Sequence, residues 1–166
     1  APSAAEVRRG ERGKIASFPC GLRHDGAMVS ISVRYEGGLH CAAVHGPSGA
    51  VLPTDAPRDN QGLGEAFSPT DLVATALGTC LITTMAIVAK RKGYDLPGIT
   101  AEVEKHMTTS GPRRIARIVS RLAIPLPGDH SDRALLEAAA HACPVHQSLH
   151  PEVEKHITFS WTGIGD

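Results

Sequence analysis

The chain's reactive chemistry rests on four cysteines: Cys20, Cys41, Cys80 and Cys143. Cys80 stands midway along an apolar stretch, with Ala76, Leu77, Thr83 and Thr84 one helical turn away. Read as packing, it is a small buried hydrophobe. Read as chemistry, it must ionise, because only a thiolate attacks a peroxide or a disulfide sulfur, and an apolar site needs a nearby cation or hydrogen-bond donor for that. Cys143 precedes Pro144, the arrangement of a residue capping a helical turn, and free backbone N–H groups there stabilise a thiolate. Two cysteines on separate helices can serve as attacker and resolver. The first is oxidised to a sulfenic acid and the second condenses with it to a disulfide. That chemistry requires Cα atoms within about 7 Å, which spacing in sequence leaves open.

A metal site is the rival chemistry. His141, Cys143, His146 and His150 fall within ten residues, loosely zinc-like, but no Cys-x-x-Cys pair accompanies them. Cys41, in a strand-like run beside His40, reads as packing. No glycine-rich phosphate loop and no Gly-x-Ser-x-Gly elbow is present.

These residues must be positioned by a chain of 166 residues, enough for one domain with a real core. Its 17 basic and 17 acidic side chains cancel, and aromatics are 4%. Both features argue against a nucleic-acid partner, which calls for a basic excess or stacking platforms. The widely spaced cysteines suit a reducing compartment, and no secretory h-region is visible, so the expected location is cytoplasmic.

Residues 1–26 are polar and charged and read as a loosely held arm, leaving 27–166 as a single domain. From Met28 to Glu36, Val29, Ile31, Val33 and Tyr35 alternate with polar residues, the pattern of a half-buried strand. Gly37-Gly38 reads as a turn into a returning strand at Leu39–Val44, and Pro47-Ser48-Gly49 as a second turn before a short strand at Ala50–Leu52. Pro53–Phe67 then reads as a loop long enough to be functional.

Ser68–Lys92 is the clearest helix. Ser68 suits the N-cap, Pro69 the first helical position, and Asp71 completes a capping box. Lys90, Arg91 and Lys92 complement the other end of the dipole. Leu72–Ala89 carries no charge, but its threonines and Gly78 favour a helix buried on most sides over a membrane span. Ile99–Thr108 and Ile115–Pro125 read as strands. Ser131 suits the cap of an Ala-rich helix over Asp132–His141, and Glu152–Trp161 as a final strand. Glu102-Val103-Glu104-Lys105-His106 recurs at Glu152–His156, best read as two strands with the same alternating face. The order of elements gives an α+β fold, a mainly antiparallel sheet packed on a long buried central helix, with a homodimer burying that helix further.

The run Phe67-Ser68-Pro69-Thr70-Asp71-Leu72-Val73-Ala74-Thr75-Ala76-Leu77-Gly78-Thr79-Cys80 resembles the central-helix motif of the OsmC/Ohr family, the osmotically inducible and organic hydroperoxide resistance proteins. Ala142-Cys143-Pro144-Val145-His146 resembles its second cysteine motif, and Tyr35–Leu39 with Thr54–Pro57 resemble its N-terminal pattern. The resemblance spans about Val29 to Trp161. It implies an intertwined homodimer with active sites at the interface, Cys80 as the peroxidatic and Cys143 as the resolving cysteine. It also implies organic hydroperoxides as substrates and dithiols or lipoyl groups as reductants. No cofactor, metal or membrane partner is expected.

Two departures stand beside it. The peroxidase branches carry a glutamate after the proline of the helix start, and here that position is Thr70. Their activating arginine would fall near Leu39 or His40. Arg58, Thr70, Asp71, His40 and Glu65 are therefore the candidates for activating or supporting roles. The second expectation is a non-catalytic relative that binds an apolar or thiol ligand at the dimer interface.

Overall fold

The computed structural model describes residues 28–163. The arm expected at 1–26, and Cys20 within it, lie outside the described residues. The element order is β1 (Ile31–Gly37), β2 (His40–His45), β3 (Val51–Asp55), a short 3-10 turn at Arg58–Asn60, α1 (Pro69–Arg91), β4 (Thr100–Met107), β5 (Ile115–Pro127), α2 (Arg133–His141), α3 (Pro144–Ser148) and β6 (Glu154–Gly163). The fold is α+β, as expected, with the strands divided into two three-stranded sheets ordered β1-β2-β3 and β4-β5-β6.

The first sheet is antiparallel throughout. Its β1–β2 turn needs left-handed backbone at Gly37 and Gly38, which glycine supplies without strain. It joins the helix start through a bridge between Thr54 and Phe67. The alternating face of β1, expected to be half buried, is exposed in one chain: Ile31, Val33 and Tyr35 are each more than 60% accessible. Among the described residues, no second layer lies over it.

In the second sheet β4 and β5 are antiparallel, but β6 runs parallel to β5. The α2–α3 segment carries the chain back before β6 begins, as a parallel crossover requires. The two five-residue repeats flank β5 on either side, so that Lys105 and Lys155 both stand opposite Ile118.

α1 starts as the sequence predicts. The Asp71 N–H donates to Ser68 Oγ at 3.2 Å, and the Asp71 carboxylate accepts from the Ser68 N–H at 2.8 Å. The helix is long and apolar enough to cross a membrane by length and composition alone. Here it packs one face, Ala74, Leu77, Gly78, Leu81, Met85 and Ala89, against the second sheet, α2 and α3. Thr79, Thr83 and Ile87 on the opposite side are exposed in one chain, so burial on most sides requires another layer. Gly78 permits the closest approach. A Cβ there would stand 2.7 Å from Val103 Cγ2 of β4.

α2 is capped by Asp132 rather than Ser131, and without a side-chain cap bond. The Asp132 carboxylate is occupied elsewhere, accepting from Tyr94 Oη at 3.2 Å and facing Lys92 Nζ at 3.3 Å. The middle of the helix is tied to β6, where Trp161 Nε1 donates to Glu137 at 2.9 Å.

Candidate active site

Both candidate cysteines lie where α1 meets α3. Cys80 sits on the flank of α1, half buried and against the core. Cys143 is fully buried in that core, at the N-cap of α3, with Pro144 at the first helical position. Its sulfur accepts from the His146 N–H at 3.3 Å. Cys80 lies near enough to Cys143 to contribute to its raised pKa. The tertiary structure thus brings together two residues 63 positions apart (143 − 80), the pair that attacker and resolver chemistry calls for.

The electrostatics of Cys143 favour the protonated thiol. Burial pushes its pKa up, the His146 N–H opposes that in part, and the neighbouring Cys80 adds to the rise. The His146 imidazole is itself pushed down, first by burial and then by Lys155 and His141. The pair is therefore asymmetric, with one thiol partly open to solvent and one sealed and held neutral.

The other candidates fall into two further groups. His40, on β2, directs Nε2 at Asp55 Oδ1, 3.6 Å away, and at Glu65 Oε2, 3.5 Å away, while Nδ1 faces the Gly38 carbonyl at 2.9 Å. Asp55 is the organiser of this loop. Its buried carboxylate accepts from the N–H groups of Leu63 and Glu65 at 3.1 and 3.0 Å. The Glu65 N–H chiefly holds its pKa below the usual carboxylate value, against the opposing effect of burial. Arg58 is also engaged within the loop, donating from Nε to the Leu63 carbonyl at 3.0 Å.

Thr70 and Asp71 form the second group, with a cation that sequence reasoning missed. Lys105 of β4 reaches Asp71 Oδ1 at 2.7 Å and Thr70 Oγ1 at 2.8 Å. Asp71, Val103 and Lys105 help to line an open groove of about 580 Å³ beside Glu65 and Phe67. The available signal was alternation. Lys105 shares the inward face of its strand with Ala101 and Val103, where a charge needs a partner.

The histidines around Cys143 do not assemble a metal centre. Among the described residues no group of three or more His, Cys, Asp or Glu side chains is arranged to hold a metal ion. His141 instead packs its ring edge-on against Phe159, with centroids 5.7 Å apart.

Residues 62–157 match the family of OsmC-like proteins, which takes in α1, β4, β5, the start of β6 and both cysteines of the pair. The chain belongs to the OsmC/Ohr family. Among solved structures, an OsmC/Ohr-fold protein from Psychrobacter arcticus, whose proposed role is osmotic stress induced and detoxification response, is 38% identical. The similarity covers 83% of this chain and 99% of that one, with a TM-score of 0.75. Two further OsmC/Ohr proteins share the fold at lower identity. The organic hydroperoxide resistance protein OsmC of Legionella pneumophila is 18% identical over 80% of this chain and 96% of its own, with a TM-score of 0.65. The organic hydroperoxide resistance protein of Elizabethkingia anophelis, crystallised with thiocyanate, is 16% identical over 80% and 95%, with a TM-score of 0.65. No curated protein matches the chain.

Proposed function

We propose that this OsmC-family chain is a thiol peroxidase for organic hydroperoxides, with Cys80 as attacker and Cys143 as resolver. The observation that carries the reading is the nearness of a half-open Cys80 to a sealed Cys143 whose thiol is held protonated. Family membership and the hydroperoxide resistance proteins of the same fold support it.

The chemistry balances in two steps. The Cys80 thiolate attacks the terminal peroxide oxygen and the O–O bond breaks. That oxygen keeps its hydrogen on sulfur, and the alkoxide leaves as ROH after taking up the proton that the thiol released to solvent on ionising. Cys80 is then a sulfenic acid. The Cys143 sulfur attacks Cys80, expelling water and forming the disulfide. A dithiol or lipoyl-type reductant returns both thiols. The exposed apolar face of β1 and the open side of α1 would be covered by a second copy, so the working form in this reading is a homodimer. A cytoplasmic location belongs to the same proposal.

One observation favours the ligand-binding alternative. The helix start pairs Thr70 and Asp71 with Lys105, and Arg58 is engaged within its own loop, so neither family activator is in place. One experiment separates the two readings. Reduced protein receives one equivalent of an organic hydroperoxide and its peptides are mapped by mass spectrometry. A rapid Cys80–Cys143 disulfide, abolished in Cys80→Ser, is the expected result. Thiols that stay reduced for minutes would overturn the peroxidase and leave the binding protein.

A further inference from the structure

The two sulfurs differ in what can reach them, and this bears on how an oxidised pair would be reopened. Thiol–disulfide exchange is an in-line displacement. The incoming thiolate approaches one sulfur from the side opposite the S–S bond, and the other sulfur leaves. Two properties therefore decide where attack occurs: access to the far side of each sulfur, and the stability of the thiolate expelled.

Access differs sharply. Cys143 has no accessible surface and belongs to the same buried core as Leu77, Leu81, Leu136 and Ala140. All of these lie within its own chain, so no partner subunit could uncover it. Cys80 retains accessible surface on the flank of α1. The leaving group opposes this order, because Cys143 must depart as a thiolate from a buried position. The His146 N–H, 3.3 Å from that sulfur, is placed to stabilise the departing charge. Access prevails, since a weak leaving group slows displacement whereas a sealed far side forbids it.

We infer that reductants reopen the Cys80–Cys143 disulfide by attacking the Cys80 sulfur, with Cys143 leaving against the His146 amide. This rests on the proposed pairing of the two cysteines but not on reactivity toward peroxide. The incoming thiolate forms an S–S bond to Cys80, and the Cys80–Cys143 bond breaks. Its electron pair passes to Cys143, which takes up a proton. The product is a mixed disulfide on Cys80 beside a free Cys143 thiol. That thiol can attack back and expel a monothiol. A dithiol escapes the reversal, because its second sulfur closes on the first and releases Cys80.

The test begins with the disulfide made by an azodicarboxamide oxidant, so that it forms whether or not the protein reduces peroxides. Oxidised protein is mixed with excess 2-mercaptoethanol, quenched in acid within seconds, unfolded in guanidinium at low pH, alkylated there with a maleimide and mapped by mass spectrometry. The adduct is expected on Cys80 in more than about tenfold excess, with the maleimide on Cys143. An adduct on Cys143, or an equal division, overturns the inference, as does failure of the oxidant to join the two cysteines. If the adduct forms on Cys80 while hydroperoxide leaves the reduced protein untouched, the inference stands and only the peroxidase reading fails.

Discussion

The Lys105 ammonium of β4 stands 2.7 Å from the Asp71 carboxylate in the first turn of α1, and its side chain is only 14% exposed. One ion pair thus ties the start of the cysteine-bearing helix to the sheet behind it. Burial tends to raise the Asp71 pKa, but Lys105 and Ser68 outweigh it and hold the carboxyl below its ordinary value. A lowered carboxylate pKa stabilises the fold above the unfolded value, and that stability is lost as pH falls through the folded one. In Lys105→Met, Asp71 should titrate at a higher pH than in the parent, read by NMR, and the acid limb of the stability profile should flatten between about pH 2 and 4. An unmoved Asp71 titration would remove Lys105 as the cause.

The approach of Gly78 to Val103 makes a second prediction. Alanine in place of a mid-helix glycine ordinarily stabilises by about 1 kcal/mol. Here the added Cβ meets Val103 Cγ2 at 2.7 Å, and overpacking of this kind costs about 1–3 kcal/mol. Gly78→Ala should therefore fail to stabilise, and should cost up to about 2 kcal/mol in denaturant melts. The combination with Val103→Ala should be less damaging than the sum of the two single changes. Additive losses would mean that the two residues do not meet. Gly78 lies two residues before Cys80, so the single variant should also slow disulfide formation.

The raised pKa of Cys143 has two readouts. Because the folded state holds this proton more tightly than the unfolded chain, the stabilisation is present below the unfolded thiol value of about 8.5 and is lost as pH rises through the folded one. Between about pH 8 and 10 the parent should lose stability more steeply than Cys143→Ala. In native protein, alkylation should reach Cys80 well before Cys143, with Cys143 labelled only at high pH or after unfolding. Equal labelling at neutral pH would contradict the sealed position of Cys143.

Much of this was legible in the residues themselves. Ser68, Pro69 and Asp71 fix where α1 begins because a capping box satisfies its backbone donors locally. Cys143-Pro144 marks the start of α3 for the same reason, since proline needs no donor there. Gly37-Gly38 dictates a turn. These are near-neighbour effects, and a sequence records them directly. Ser131 was misleading because Asp132, one residue on, takes the cap position while its carboxylate binds Tyr94 and Lys92.

The site was only half legible. The two cysteine motifs could be named from sequence, but their nearness could not. It depends on how α2 and α3 cross back over α1, and packing of that range leaves no periodic trace. The same holds for Lys105, which is one charge in an alternating strand until the fold carries it to Asp71, 34 positions earlier (105 − 71). It holds for Arg58, whose engagement with Leu63 follows from the loop folding around Asp55. By itself, the sequence determined the helix starts, the turns and the thiols on offer, because those follow from local backbone chemistry. Only the tertiary structure decided which thiol is sealed, which is open and which charges are already engaged, because burial and pairing are properties of the packed chain.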